Sequence, residues 1–97
     1  MTSREIAESI VRDACPVYRT MVDLSPISSR IADSPDPHGV VLAIADIIIT
    51  DVTMNDADPS FKHLMHCAIS EVPALGGVSF FELLRVAKNN KVNPDRA

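Results

Sequence analysis

Glycine and aromatic residues are scarce in this chain, with three Gly, three Phe, one Tyr and no Trp among 97 residues. So few glycines leave no room for low-complexity linkers, and so few aromatics mean a core built from aliphatic side chains and Met. Cysteine is also sparse: Cys15 and Cys67 stand alone, far apart in sequence, which excludes a disulfide framework and the short pairs of a thiolate metal site. Long apolar runs are missing as well. The longest, Val40 to Ile49, is too short to cross a bilayer and contains Asp46. The start of the chain, Met1 to Ile10, is polar and amphipathic, unlike the basic-then-apolar pattern of a secretion signal. A cytoplasmic protein with no membrane segment is therefore expected.

The motifs of catalysis are missing too. Ser79 in "GGVSFF" lacks the glycine two residues later that a nucleophile elbow needs, and Gly76-Gly77 is not followed by the Gly-Lys of a phosphate-binding loop. His63, His66 and Cys67 in "HLMHC" have i, i+3, i+4 spacing, and two of them could share a metal ion with Asp or His38. No second ligand pair exists, so Cys67 reads as a small core residue flanked by imidazoles. "DVTMNDADPSFK", Asp51 to Lys62, follows a calcium loop at its first, third and fifth positions. It places Asp56 where the turn requires Gly, and Lys62 where a bidentate Glu belongs. No enzyme activity, cofactor or metal is expected.

What is present is helical periodicity. Thr2 and Glu5 form a capping box, after which Ile6, Ile10, Ala14, Val17, Met21 and Leu24 recur at spacings of three and four, predicting a helix over 2–24 kinked at Pro16. Ser25-Pro26, Asp36-Pro37 and Asp58-Pro59 each read as a cap followed by proline in the first turn, opening helices 26–32, 37–53 and 59–72. Val40 to Thr53 is rich in β-branched residues, but Gly39, Ala43, Asp46, Thr50 and Thr53, small or polar, fall on one narrow stripe at helical spacing, so a mostly buried helix is predicted. Ser79 and Glu82 form a second capping box, with Val78 placed to staple against Leu83; the last helix is predicted over 79–90, ended by a left-handed Asn89 or Asn90, with 90–97 a loose tail. The expected fold is one all-α domain, a compact bundle of four to five helices with short connectors.

The net charge of −4 is unevenly spread: residues 1–58 hold ten acids against four Arg, and residues 59–97 three acids against five bases. Asp33, Asp36, Asp46, Asp51, Asp56 and Asp58 would steer a basic or nucleic-acid-binding protein partner. On the last helix, Phe80, Phe81, Leu83, Leu84, Val86 and Ala87 exceed what one buried face needs. Phe81 and Leu84, edged by Arg85 and Lys88, therefore form a candidate partner-binding patch, with Asp51, Asp56 and Asp58 as its acidic counterpart. Homodimerisation through Val40 to Val52, or through Phe81 and Leu84, is the companion expectation.

Gly77-Val78-Ser79 with Arg85-Val86 resembles the helix-turn-helix of lac-repressor-type regulators. The resemblance covers about fifteen residues and implies a DNA-binding regulator using residues 72–90, with Gly77 in the turn and Val72, Val78, Leu83 and Val86 joining two helices. In that pattern Phe80, Phe81, Leu84 and Arg85 would face the groove, where only Arg85 can read a base edge, and Pro73 interrupts the first helix. The favoured expectation is thus a small acidic interaction module, a regulator or inhibitor of the antitoxin, immunity or phage-inhibitor type. Direct nucleic-acid binding is not expected.

Overall fold

The computed structural model describes residues 2–50 and 59–92, with side chains described as far as Asn89. Among the described residues there are five α-helices and two 3-10 turns, and most helices start at the predicted caps. The Thr2 hydroxyl accepts from the Glu5 amide at 3.2 Å and the Glu5 carboxylate accepts from the Thr2 amide at 3.0 Å, which starts α1 (Ser3–Ala14). For α2 (Ser25–Ala32) the predicted cap Ser25 is already the first helical residue and Leu24 is the N-cap without a side-chain bond; Asp23, two residues before Ser25, accepts from the Ser25 amide at 3.0 Å and from its hydroxyl at 2.7 Å. Asp36 accepts from the Gly39 amide at 3.1 Å and Pro37 occupies the first turn of α3 (Pro37–Thr50). The β-branched run is helical through Thr50, as its periodicity predicts; the last residues of the predicted helix, 51–53, lie outside the described residues. α4 spans Pro59–Ser70 and α5 spans Phe80–Val92, with the Ser79 hydroxyl accepting from the Glu82 amide at 3.3 Å. The proposed Asp58 cap and the acidic residues Asp51 and Asp56 lie outside the described residues.

Three boundaries differ from the sequence prediction, each for a backbone reason. Pro16 ends α1 instead of kinking it. Proline has no amide to donate to the Arg12 carbonyl, and the chain tightens into shorter bonds, Val17 to Ala14 at 3.1 Å and Thr20 to Val17 at 3.0 Å, forming a 3-10 turn at Tyr18–Thr20. α4 stops at Ser70, and Pro73–Leu75 forms a second 3-10 turn preceded by extended Val72. Gly76 and Gly77 then take positive φ, 59° and 84°, which turns the chain into α5. At the other end, neither Asn89 nor Asn90 is left-handed; the helix continues to Val92, so the predicted tail begins inside a helix.

α3 is the axis of the bundle, packing most extensively on α1 and next on α5, while α2 lies on α4. Val40, Val41, Ile44, Ala45, Ile47 and Ile48 are all buried within the chain, so the apolar surface proposed as a dimer half is used in the core, leaving Leu42 exposed. The polar stripe of α3 runs beside α1. A Cβ at Gly39 would stand 3.0 Å from the Ser3 hydroxyl, and Asp46 binds Arg4 at 2.5 Å. Arg30 fastens α2 to α1 through Asp13 at 2.8 Å and the Ser9 hydroxyl, and buried Ser28 bonds Glu71 at 3.3 Å just past the end of α4. No helix among the described residues is long and apolar enough to cross a membrane.

Candidate functional site

The apolar arc of α5 resolves into a buried side and an exposed flank. Phe80 is fully buried and Leu84 is 7% exposed; both belong to the core. Leu84 therefore leaves the proposed partner-binding pair, because it faces inward with Phe80 while Phe81 stays 44% exposed. Half-buried Val78 and Leu83 pack on the same core, as a staple requires. Arg85 and Lys88 are exposed and lie one and two turns beyond Phe81, so the three share a flank. The Glu82 carboxylate, which the capping box would send back to Ser79, is bonded to Arg85 instead.

That flank meets α4 through aromatic contacts that the sequence pattern does not disclose. The Phe81 ring lies over His66, centroids 4.8 Å apart and tilted 37°, and His66 in turn stands 6.5 Å from His63. The His66 Nδ1 is enclosed and has no hydrogen-bond partner among the described residues. His63 then lines an open groove of about 480 Å³ with Met21, Val22, Leu24, Leu64 and Cys67. Its far wall comes from the segment after Pro16, where Val22 is 95% exposed. Tyr18 holds this segment onto α4 by an edge-to-face contact with Phe61, centroids 5.0 Å apart.

The result is one continuous strip, Val22 to His63 to His66 to Phe81, drawn from three parts of the chain. His63, His66 and Cys67 thus sit in an apolar, aromatic setting rather than converging on one point. Among the described residues no three His, Cys, Asp or Glu side chains are grouped to hold a metal ion. Signals for the strip were present in "HLMHC" and in the excess apolar surface of α5. The contribution of Met21 and Val22 was hidden, because periodicity alone folded them into an extended α1.

The acidic residues are largely engaged within the chain. Asp46 pairs with Arg4, Asp13 with Arg30, and Asp36 and Asp23 cap helices. Asp33 is exposed. Comparison with protein-family models, with curated proteins and with solved structures returns no match. The likeness of Gly77 to Val86 to a helix-turn-helix rests on those residues alone.

Proposed function

We propose that this chain is a stand-alone interaction module, a regulator or inhibitor that acts by covering a partner protein's surface with the face formed by α4, α5 and the Met21–Leu24 segment. The observation that carries this reading is Phe81, held against His66 at 4.8 Å yet 44% exposed on a bundle whose core is complete without it. An aromatic fixed in this way loses little conformational freedom on contact, which is why such residues anchor interfaces. The unpartnered Nδ1 beneath it supports the same reading. A site selected only for stability would carry an apolar side chain there, since an enclosed polar atom without a partner costs about 1–3 kcal/mol.

The helix-turn-helix reading has less support. The nine residues 71–79 separate α4 from α5, where that motif uses a turn of about three or four. Two of its four groove-facing positions, Phe80 and Leu84, are core residues.

Affinity capture from the native host tests the proposal, with wild type, Phe81→Asp and Leu42→Asp as baits. Leu42 is 54% exposed on α3 and serves as the control for an apolar residue on another face. The expected result is a protein retained by wild type and Leu42→Asp and lost with Phe81→Asp. Equal recovery by all three baits, or recovery of nucleic acid with no protein, overturns the reading.

A further inference from the structure

We propose that residues 17–24 form a strap that lifts off α4 as a unit while the five described helices stay packed, so that the groove wall made by Met21 and Leu24 is a movable part. The inference concerns the strap itself and stands apart from the docking role proposed for Phe81.

The strap holds five apolar or aromatic side chains and buries none of them. Between Ala14, the last buried residue of α1, and Ile27, the first of α2, every residue is exposed or half-buried. Tyr18, Met21 and Leu24 rest half-buried against the core, while Val17 and Val22 are 45% and 95% exposed. A segment seated in this way gains few contacts for the backbone freedom it gives up, and such segments supply the low-energy openings of a native fold. Its backbone bonds point the same way. Thr20 donates to the Val17 carbonyl at 3.0 Å and Met21 to the Tyr18 carbonyl at 3.4 Å, both within the strap, so lifting it breaks neither. The amides of Val22, Asp23 and Leu24 donate to no group among the described residues. What seats the strap on α4 is therefore side-chain packing, with the Tyr18 ring edge-on to Phe61 at 5.0 Å and Met21 and Leu24 beyond it.

Packing is incomplete on both sides of Met21. One side is the groove of about 480 Å³; on the other, Met21 and Val17 border a second cavity of about 320 Å³ that Ile10, Ala14 and Ile27 also line. A side chain between two such spaces has few atoms in contact to give up when it leaves. The ends of the strap, by contrast, are pinned. The Val17 amide donates to the Ala14 carbonyl at 3.1 Å, and at the other end the Leu24 carbonyl accepts from the Ile27 and Ser28 amides at 3.0 Å each. Motion is thereby confined to the span between two hinges. The helices left behind keep ties of their own: Arg30 joins α2 to α1 through Asp13 and Ser9, and Ser28 joins α2 to Glu71 just past α4.

The composition supplies the probe, because Tyr18 is the single tyrosine of a chain without tryptophan. Fluorotyrosine incorporated in the full chain and followed by fluorine NMR through a urea titration reports the strap, and far-UV circular dichroism of the same sample reports the helices. The packed resonance should be half replaced by one at the free fluorotyrosine position while about nine-tenths of the ellipticity remains, since two probes of one all-or-none transition would coincide. Intrinsic tyrosine fluorescence of the unlabelled protein should follow the fluorine curve. Met21→Ala adds an independent arm. Where the helices melt, a strap that has already lifted no longer counts toward their stability, so this variant should move tyrosine release to lower urea and leave the ellipticity midpoint in place. Coincident tyrosine and ellipticity curves overturn the inference. So does an ellipticity midpoint that falls in step with tyrosine release in Met21→Ala, or a wild-type resonance already at the free position in water.

Discussion

Adjacent Phe80 and Phe81 permit a matched test, because one substitution should have two different costs one residue apart. Phe80 is 0% exposed and Phe81 is 44% exposed. Truncating a fully buried Phe to Ala costs about 3–5 kcal/mol, the transfer of the ring plus the cavity left behind. At Phe81 roughly half of the ~200 Å² that a Phe can bury is covered, and about 100 Å² at ~25 cal/mol per Å² sets an upper bound near 2.5 kcal/mol. The methyl that Ala retains and the compactness of the unfolded chain bring this to about 1.5 kcal/mol. No cavity term is added, because water fills the vacated surface. The two variants should therefore differ by about 1.5–3.5 kcal/mol, or roughly 6–28 °C in Tm for a domain of this size. Urea denaturation followed by far-UV circular dichroism measures the difference, with Phe80→Leu and Phe81→Leu as a milder pair should Phe80→Ala not fold. Equal losses at the two positions would refute the placement of Phe81 on the surface, and the candidate interface would go with it.

Leu84→Ala should cost about 2–5 kcal/mol, as for a core leucine, and alter partner capture only in proportion to the unfolded fraction. His66→Leu should raise stability by about 1 kcal/mol in the same denaturation assay by removing the unpartnered Nδ1, while weakening partner capture. Gly77→Ala should cost about 1–2 kcal/mol from backbone strain alone, since its φ is 84° and an added Cβ would meet nothing within 4 Å. On acidification, stability should fall through two caps. The Thr2 backbone amide, then its hydroxyl, holds the Glu5 carboxyl below its ordinary 4.5, and the Ser25 hydroxyl, then its amide, holds Asp23 below 3.8. The folded state thus binds fewer protons than the unfolded chain. The contribution is full above those ordinary values and is lost as pH drops through the depressed native ones; Glu5→Gln with Asp23→Asn should flatten that slope.

Caps and periodicity made most of the fold legible. Thr2, Asp36 and Ser79 each bond the amide three residues on, and a local signal of that kind is readable without knowledge of the tertiary structure. The inward set of α4, Phe61, Met65, Ala68 and Ile69, follows the same logic. What periodicity could not supply was the direction of a face once its apolar arc exceeded half the helix. Phe81 and Leu84 are equally apolar in sequence, and only the position of α3 and α4 around α5 decides that one is buried and the other exposed. The start of α2 shows the same limit on a smaller scale: Ser25, read as a cap, is instead the first helical residue, and the Asp23 carboxylate two residues earlier accepts from both of its donors.

Pro16 is where the misread boundary and the candidate site meet. Had α1 continued to residue 24, the apolar positions Val17, Met21 and Leu24 would have extended its stripe along the bundle. The missing proline amide stops the helix, and the 3-10 turn that follows sends the chain across α4, where Tyr18 packs on Phe61. Met21 and Leu24 then become one wall of the groove, and Val22 stands beside them almost fully exposed. The groove is therefore built by the residue that breaks the sequence's strongest period. Restoring the amide with Pro16→Ala sets one regained hydrogen bond, about 1 kcal/mol, and better helix propensity against the Tyr18–Phe61 contact and the burial of Met21 and Leu24. Burial of even one such side chain is worth about 1.5–3 kcal/mol, so the turn should persist, far-UV ellipticity should not rise and partner capture should be retained. A gain of helical ellipticity with loss of partner capture would show instead that proline alone holds the groove open.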